Sequence, residues 1–342
     1  MEEKCNPPKK KRLSNLELLR VIAMLMVVVI HQCFYSFGAP TLADWQSSPF
    51  VILGRIGIQS LTCVCVDIFV LLSGYFGIRP NLQRLCGLLF QVWFLIIPVG
   101  LYYLLVNPND FVYFGIDLLK RCCALGGWFV RAYLLLYLLS PILNAYIEHA
   151  TQRKLFYMVL SLLIIVFVWG KEFSYGYSAL FLIVLYLTGR YIRLYPCKLC
   201  RMKWYVDLGI YFACILVIIV MTILGINVKV LGFFEPSYVS PFTILGAVAL
   251  LLCFSKISFY SRWVNWIAAS SFAVYVLHAC TPFLEFSMKP MMLQFWQESS
   301  FGGFIGKCAA FAVGLFMICV LIDKVRIYLW RKLSVLIWPP KV

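Results

Sequence analysis

The chain contains three histidines, and two of them, His31 and His278, lie in long apolar runs. Glu17 and Arg20 open the first run, Val21 to Ile30 continue it without a charge, and His31 closes it. On an α-helix the eleven steps from Arg20 to His31 end about 20° past three full turns, so both side chains share one face, about 16 Å apart along the axis. Glu17, Met24 and Val27 fall on the same stripe. A second stripe runs through Ser271, Tyr275, His278 and Glu285, at spacings of four, three and seven residues. Ionisable groups inside a membrane are costly, and each is a functional hypothesis by default. Histidine titrates near neutral pH and suits proton transfer, and arginine suits binding of a phosphate or carboxylate. Two histidine-bearing stripes therefore define a polar path. The competing reading is interfacial, with Arg20 snorkelling to the surface and His31 anchoring the opposite end.

Other polar residues are candidates to join this path. Asp67 lies mid-run and wants a partner, while Ser73 and Gly74 beside Tyr75 allow close helix approach. Arg131 follows Trp128 at the start of another run, where it could meet an anionic headgroup or a carboxylate such as Asp67, or snorkel outward. Cys197 and Cys200 form a single Cys-x-x-Cys in a basic loop, a weak metal or redox signal without a second pair or a histidine partner. Cys63, Cys65, Cys214, Cys253 and Cys319 sit in apolar runs, where a thiol is a small hydrophobe. No metal and no resident cofactor are expected.

The elements that must position these groups are membrane helices. The composition is 63% hydrophobic and 13% charged with mean hydropathy +0.90, which no soluble domain requires. An all-α, polytopic membrane protein of about ten spans is expected, near 16–36, 57–77, 86–106, 125–146, 155–170, 177–195, 205–226, 238–255, 265–286 and 302–322. On this topology 21 of the 30 Lys and Arg fall on the side of the N-terminus, including Lys9-Lys10-Lys11-Arg12, and eight on the other, with Arg20 within span one. The split places both termini in the cytoplasm. It also accounts for the net charge of +16 without nucleic acid, since the basic residues are spread through loops. The first run lacks the small-residue cleavage site of a signal peptide. The far-side segments 37–56, 107–124 and 287–301 read as a polar and aromatic rim. Residues 323–342 read as an amphipathic stretch on the inner leaflet.

Four blocks in this order resemble the acyltransferase 3 family. They are Asn15-Leu16-Glu17-Leu18-Leu19-Arg20 leading after ten residues to His31, Phe69-Val70-Leu71-Leu72-Ser73-Gly74-Tyr75, Trp128-Phe129 with Tyr137-Leu138-Leu139-Ser140-Pro141, and Ser271-Phe272-Ala273-Val274-Tyr275-Val276-Leu277-His278. Their wording is similar to members that O-acetylate capsular or exopolysaccharides. The resemblance implies one membrane domain over 1–342, with 1–15 as a basic cytoplasmic tail, in a bacterial cytoplasmic membrane. It implies an acyl-CoA donor, acetyl-CoA in the first instance, at the cytoplasmic face, and a glycan or lipid-linked glycan hydroxyl reached from outside, among membrane lipids. His31 would be the catalytic histidine and Arg20 its donor-side basic partner. Glu17, Asp67, Ser73, Tyr75, Trp128, Arg131, Ser271, Tyr275 and His278 would bind substrate or line the path. Two positions depart from the pattern. Gly127 stands where several relatives carry a histidine-containing turn, and Asp67 where close relatives often have asparagine. No serine-hydrolase-like domain of the kind fused in some relatives is present, so the chain is expected to finish the transfer itself or pass the acyl group on.

Within that chemistry His31 suits the base that takes the hydroxyl proton. Arg20 is too far along the helix to hold the oxyanion, and better placed for CoA phosphate or pantetheine entry, oriented by Glu17 through an i,i+3 pair. A covalent acyl-histidine is the variant mechanism. Two other classes use the same residues. The stripes could conduct a small amino acid or acyl donor without chemistry, or two facing imidazoles, His31 and His278, could hold a haem.

Overall fold

The computed structural model describes residues 13–170, 172–196, 198–227 and 237–339. Lys9 to Arg12, Lys171, Cys197, Lys229 and Lys341 lie outside them. The described residues form helices and connections, with no strand among them. In chain order the helices are α1 (Ser14–Ile30), α2 (Leu42–Ser47), α3 (Pro49–Thr62), α4 (Cys65–Phe76), α5 (Leu82–Val106), α6 (Phe111–Cys123), α7 (Trp128–His149), α8 (Gln152–Val168), α9 (Ala179–Leu194), α10 (Trp204–Asn227), α11 (Pro241–Lys256), α12 (Arg262–Ala268), α13 (Ser271–His278), α14 (Thr281–Phe283), α15 (Lys289–Gln297) and α16 (Phe301–Ile337). Side-chain oxygens of Asn81, Thr151, Ser178, Ser261 and Ser300 cap α5, α8, α9, α12 and α16, satisfying amide groups that the helices leave open.

A multi-pass membrane protein is evident, and not all of the ten expected spans are matched by helices of spanning length among the described residues. Six helical stretches among the described residues are long and apolar enough to cross a bilayer, and a seventh counts if a bent pair is one span. Helices α8, α9 and α11 coincide with expected spans but have only 17, 16 and 16 residues, about 24–26 Å against a hydrocarbon core of roughly 30 Å. The bent pair is the expected span nine. Arg262–His278 and Thr281–Gln297 meet at 71°. Pro282, one residue into α14, accounts for the break, because it has no N–H for the His278 carbonyl four residues back and its ring crowds that carbonyl. Glu285 therefore leaves the Ser271–His278 stripe on which continuous periodicity would place it.

Two further departures concern the ends. Residues 111–123, expected as rim, form α6, which folds back along α5: Tyr103 stacks on Phe114 with centroids 6.1 Å apart, and Trp93 Nε1 donates to Cys122 O at 3.0 Å. The C-terminal stretch does not start a separate surface segment. Helix α16 runs unbroken for 37 residues, about 55 Å, with Asp323 and Arg326 buried.

The main core gathers apolar residues of α1, α4, α5, α7, α9, α11 and α13, with Leu16, Leu19, Ile68, Leu71, Leu136 and Tyr186 almost wholly buried. Gly74 of α4 and Gly189 of α9 pack backbone to backbone, and a Cβ on either would collide with a carbonyl of the other helix. This is the close approach that small residues permit in membranes. The start of α1, here called the near end, is tied down by Asn15 Nδ2 donating to Phe254 O at 2.7 Å and by Ser14 Oγ donating to Asn265 Oδ1 at 3.1 Å. At the far end a smaller cluster of Cys33, Leu284, Met288, Met292, Phe304 and Cys308 holds the end of α1 against the segment after the break and against α16.

Candidate functional site

Three departures from regular α-helix converge on the histidines. Helix α1 widens into a π turn over His31–Tyr35, the bent pair breaks directly after His278, and a second π turn occupies Leu284–Met288. Such wide turns commonly mark functional positions. They bring His31 Nδ1 within 2.9 Å of His278 Nε2, and His278 Nδ1 within 2.5 Å of Val274 O.

These contacts assign the protons when both rings are neutral. The Val274 carbonyl only accepts, so His278 Nδ1 carries hydrogen and donates to it. His278 Nε2 is then a lone pair, so His31 Nδ1 must donate to it, which leaves His31 Nε2 as a free base. His278 is fully buried, and His31 is half-buried. The arrangement is a base oriented by a second group that is itself held by a third. Two nitrogens held by one metal, each about 2 Å from it, would stand about 4 Å apart. The 2.9 Å separation is a hydrogen bond.

On the near-end side lies a cleft of about 440 Å³ lined by Glu17, Arg20, Phe69, Ser73, Gln91, Tyr133 and their neighbours. Arg20 Nη1 pairs with Glu17 Oε2 at 2.5 Å. Ser73 Oγ donates to Phe69 O at 2.9 Å and lies 3.4 Å from the Tyr133 hydroxyl. Gln91 Nε2 donates to Asp323 Oδ1 at 3.2 Å, and Arg326 holds that carboxylate with two further bonds. The end of the cleft toward the histidines is aromatic. Phe129 and Phe272 both line it and pack on Tyr275, with centroids 5.4 and 6.2 Å away, and the Tyr275 ring meets His278 edge-on at 6.3 Å. Thus Tyr275 with Phe129 and Phe272 forms a partition between cleft and imidazole pair.

The residues singled out from the sequence divide accordingly. Glu17, Arg20 and Ser73 share the cleft, His31 and His278 form the pair, and Tyr275 stands between. Ser271 is buried with its hydroxyl unpartnered and is not among the cleft residues. Asp67 is wholly buried with neither oxygen hydrogen-bonded, away from Arg131 and outside the cleft lining. Arg131 is exposed and donates to the carbonyls of Ala124 and Gly126. Trp128 packs on Tyr177 and Tyr238, and Tyr75 faces the opposite side of α4, where Arg193 lies over its ring and donates to its hydroxyl at 3.0 Å. Sequence reasoning passed over Gln91, Tyr133 and Tyr35. Gln91 is a polar residue in the apolar interior of α5, and that was the available signal. Tyr35, four residues after His31, had no comparable mark.

A membrane-embedded bundle with an oriented imidazole base above a polar cleft defines a class of proteins that can move a proton during group transfer. The particular family follows from comparison: the chain matches the acyltransferase domain family over residues 13–324 and belongs to it. No curated relative and no solved structure matches the chain.

Proposed function

We propose that the protein transfers an acyl group, acetyl in the first instance, from cytoplasmic acyl-CoA to a hydroxyl of a cell-surface or lipid-linked glycan. The observation that carries this reading is the Val274–His278–His31 chain, which leaves one lone pair of a membrane-buried imidazole free beside the partition that caps the cleft. Acyl-CoA enters the cleft from the near end, with Arg20, held by Glu17, meeting its phosphates or ordering the pantetheine arm. His31 Nε2 takes the acceptor hydroxyl proton as the oxygen attacks the thioester carbon. The C–S bond breaks, the ester forms, and the CoA thiolate recovers the proton from the imidazolium that His278 stabilises.

Mass spectrometry of surface glycan from cells with the wild-type protein, without it, and with His31→Ala tests this reading. O-acetyl groups are expected in the first sample alone, with His31→Ala present at normal protein levels. Unchanged O-acetylation in His31→Ala cells contradicts it. A transporter of an amino acid or acyl donor remains the second reading, supported by the broken helix next to the histidines, a device shared with membrane carriers. Solute uptake into proteoliposomes without CoA release favours that alternative.

A further inference from the structure

Beyond the histidine pair, on the far side from the cleft, the two π turns meet through one hydrogen bond. Tyr35 Oη donates to Glu285 Oε1 at 2.6 Å. The Tyr35 ring stands edge-on to His31 with centroids 6.1 Å apart, so Glu285 is one phenol ring removed from the base. The second carboxylate oxygen meets Lys289 Nζ only at 3.5 Å, and the side chains of Glu285 and Lys289 are 38% and 40% exposed. A carboxylate has about four lone-pair sites. Two are engaged here, which leaves acceptor capacity on a side chain that is partly exposed. On the neighbouring element Arg121 is bound bidentately by Asp117 at 2.6 and 2.8 Å and reaches Cys280, two residues past His278, at 3.9 Å.

We propose that Tyr35 and Glu285 form the acceptor subsite, and that it selects a neutral polyol, a sugar presenting adjacent hydroxyls, over a simple alcohol or an anionic acceptor. The proposal rests on the acyl-transfer reading and adds the residues that position the acceptor. A carboxylate with free lone pairs accepts from two neighbouring hydroxyls, and the adjacent phenol fixes its orientation. The two acidic residues here are each paired with a basic one, Glu285 with Lys289 and Asp117 with Arg121, so the pairs themselves add no net charge that would draw in an anion. The π turn at His31–Tyr35 then has a functional reading: it keeps the phenol beside the base, ring centroids 6.1 Å apart. A site built to bond hydroxyls discriminates strongly against compounds that lack them, because its own polar groups are left unpaired.

The test uses full-length protein in proteoliposomes with acetyl-CoA as donor, and methyl glycosides of neutral sugars or 1-propanol as acceptor, read as ester formed and CoA released. The quantity of interest is kcat/KM for the best glycoside divided by that for 1-propanol. Wild-type protein is expected to prefer the glycoside. Glu285→Gln is expected to lower the ratio at least tenfold through KM for the glycoside, and Tyr35→Phe to lower it less when added to Glu285→Gln than alone. A partly misfolded variant scales both acceptors together and leaves the ratio unchanged. An unchanged ratio in Glu285→Gln, with CoA release intact in wild type, overturns the subsite alone. Absence of acceptor-stimulated CoA release in wild type overturns the acyl-transfer reading with it.

Discussion

His278 has no solvent exposure, yet its importance in this account lies in what it does to another ring. Because it is fixed to Val274 O, it forces the tautomer of His31. His278→Gln keeps a donor for the carbonyl and an acceptor for His31, while His278→Phe keeps only the bulk. His278→Phe is expected to lower kcat roughly 10²–10⁴-fold, the range of general-base assistance, with a smaller loss for His278→Gln and little change in KM for acyl-CoA in either. Comparable kcat in the two variants would remove the orienting role. Asp67 carries a different expectation. A buried carboxylate with no hydrogen-bond partner is a cost to folding rather than a support, so Asp67→Asn is expected to raise the thermal unfolding midpoint in detergent and to retain acyl transfer. A lower midpoint would show that the charge has a stabilising partner. Arg20 and His31 were legible as a pair because helical spacing fixes their shared face. The contact of His31 with His278 was not, because 247 residues separate them and no periodicity within either helix specifies which faces meet.

At the scale of elements, hydrophobic runs located the helices well and located their interruptions poorly. Continuous periodicity carries span nine through Pro282 and puts Glu285 on the Ser271–His278 stripe, from which the 71° break removes it. Pro282 itself was the signal, because proline in a helix interior frees the carbonyl four residues earlier. The π turns left no such mark, since Val29 to Tyr35 fits α-helical periodicity as well as any apolar run. Segment 111–123 contained the pattern of an amphipathic helix, but its place beside α5 is a matter of packing between Tyr103 and Phe114. Replacing Pro282 by alanine restores the possible hydrogen bond to His278 O and favours a straight helix. Pro282→Ala is expected to reduce activity at least tenfold while leaving helix content by circular dichroism unchanged or slightly higher. Full activity in this variant would make the break incidental. The α4–α9 contact is more demanding. Gly74→Ala places a methyl group against backbone that has no side chain to move, and a cost of about 1–3 kcal/mol is expected from overpacking, visible as a lower unfolding midpoint.

For the molecule as a whole, the partition of Tyr275, Phe129 and Phe272 stands between a polar cleft on the near-end side and the histidine pair, with the Tyr35–Glu285 bond beyond it. On the expected topology the excess of Lys and Arg would place the near end in the cytoplasm, the side from which the proposed acyl-CoA donor enters. The longest helix, α16, contributes to that end through Asp323, whose bond to Gln91 ties the helix to the cleft wall. The proposed reaction has donor and acceptor reach the same base from opposite faces. In sealed, uniformly oriented vesicles, acetyl-CoA supplied on the near-end side is expected to support transfer to an impermeant glycoside on the other side. The most direct test of the central claim is CoA release by purified, reconstituted protein with acetyl-CoA and a glycoside acceptor, compared between wild type and His31→Ala of matched folding by size-exclusion profile. The account predicts acceptor-dependent release in wild type and a loss of at least a hundredfold in His31→Ala. Equal release by both proteins would contradict it.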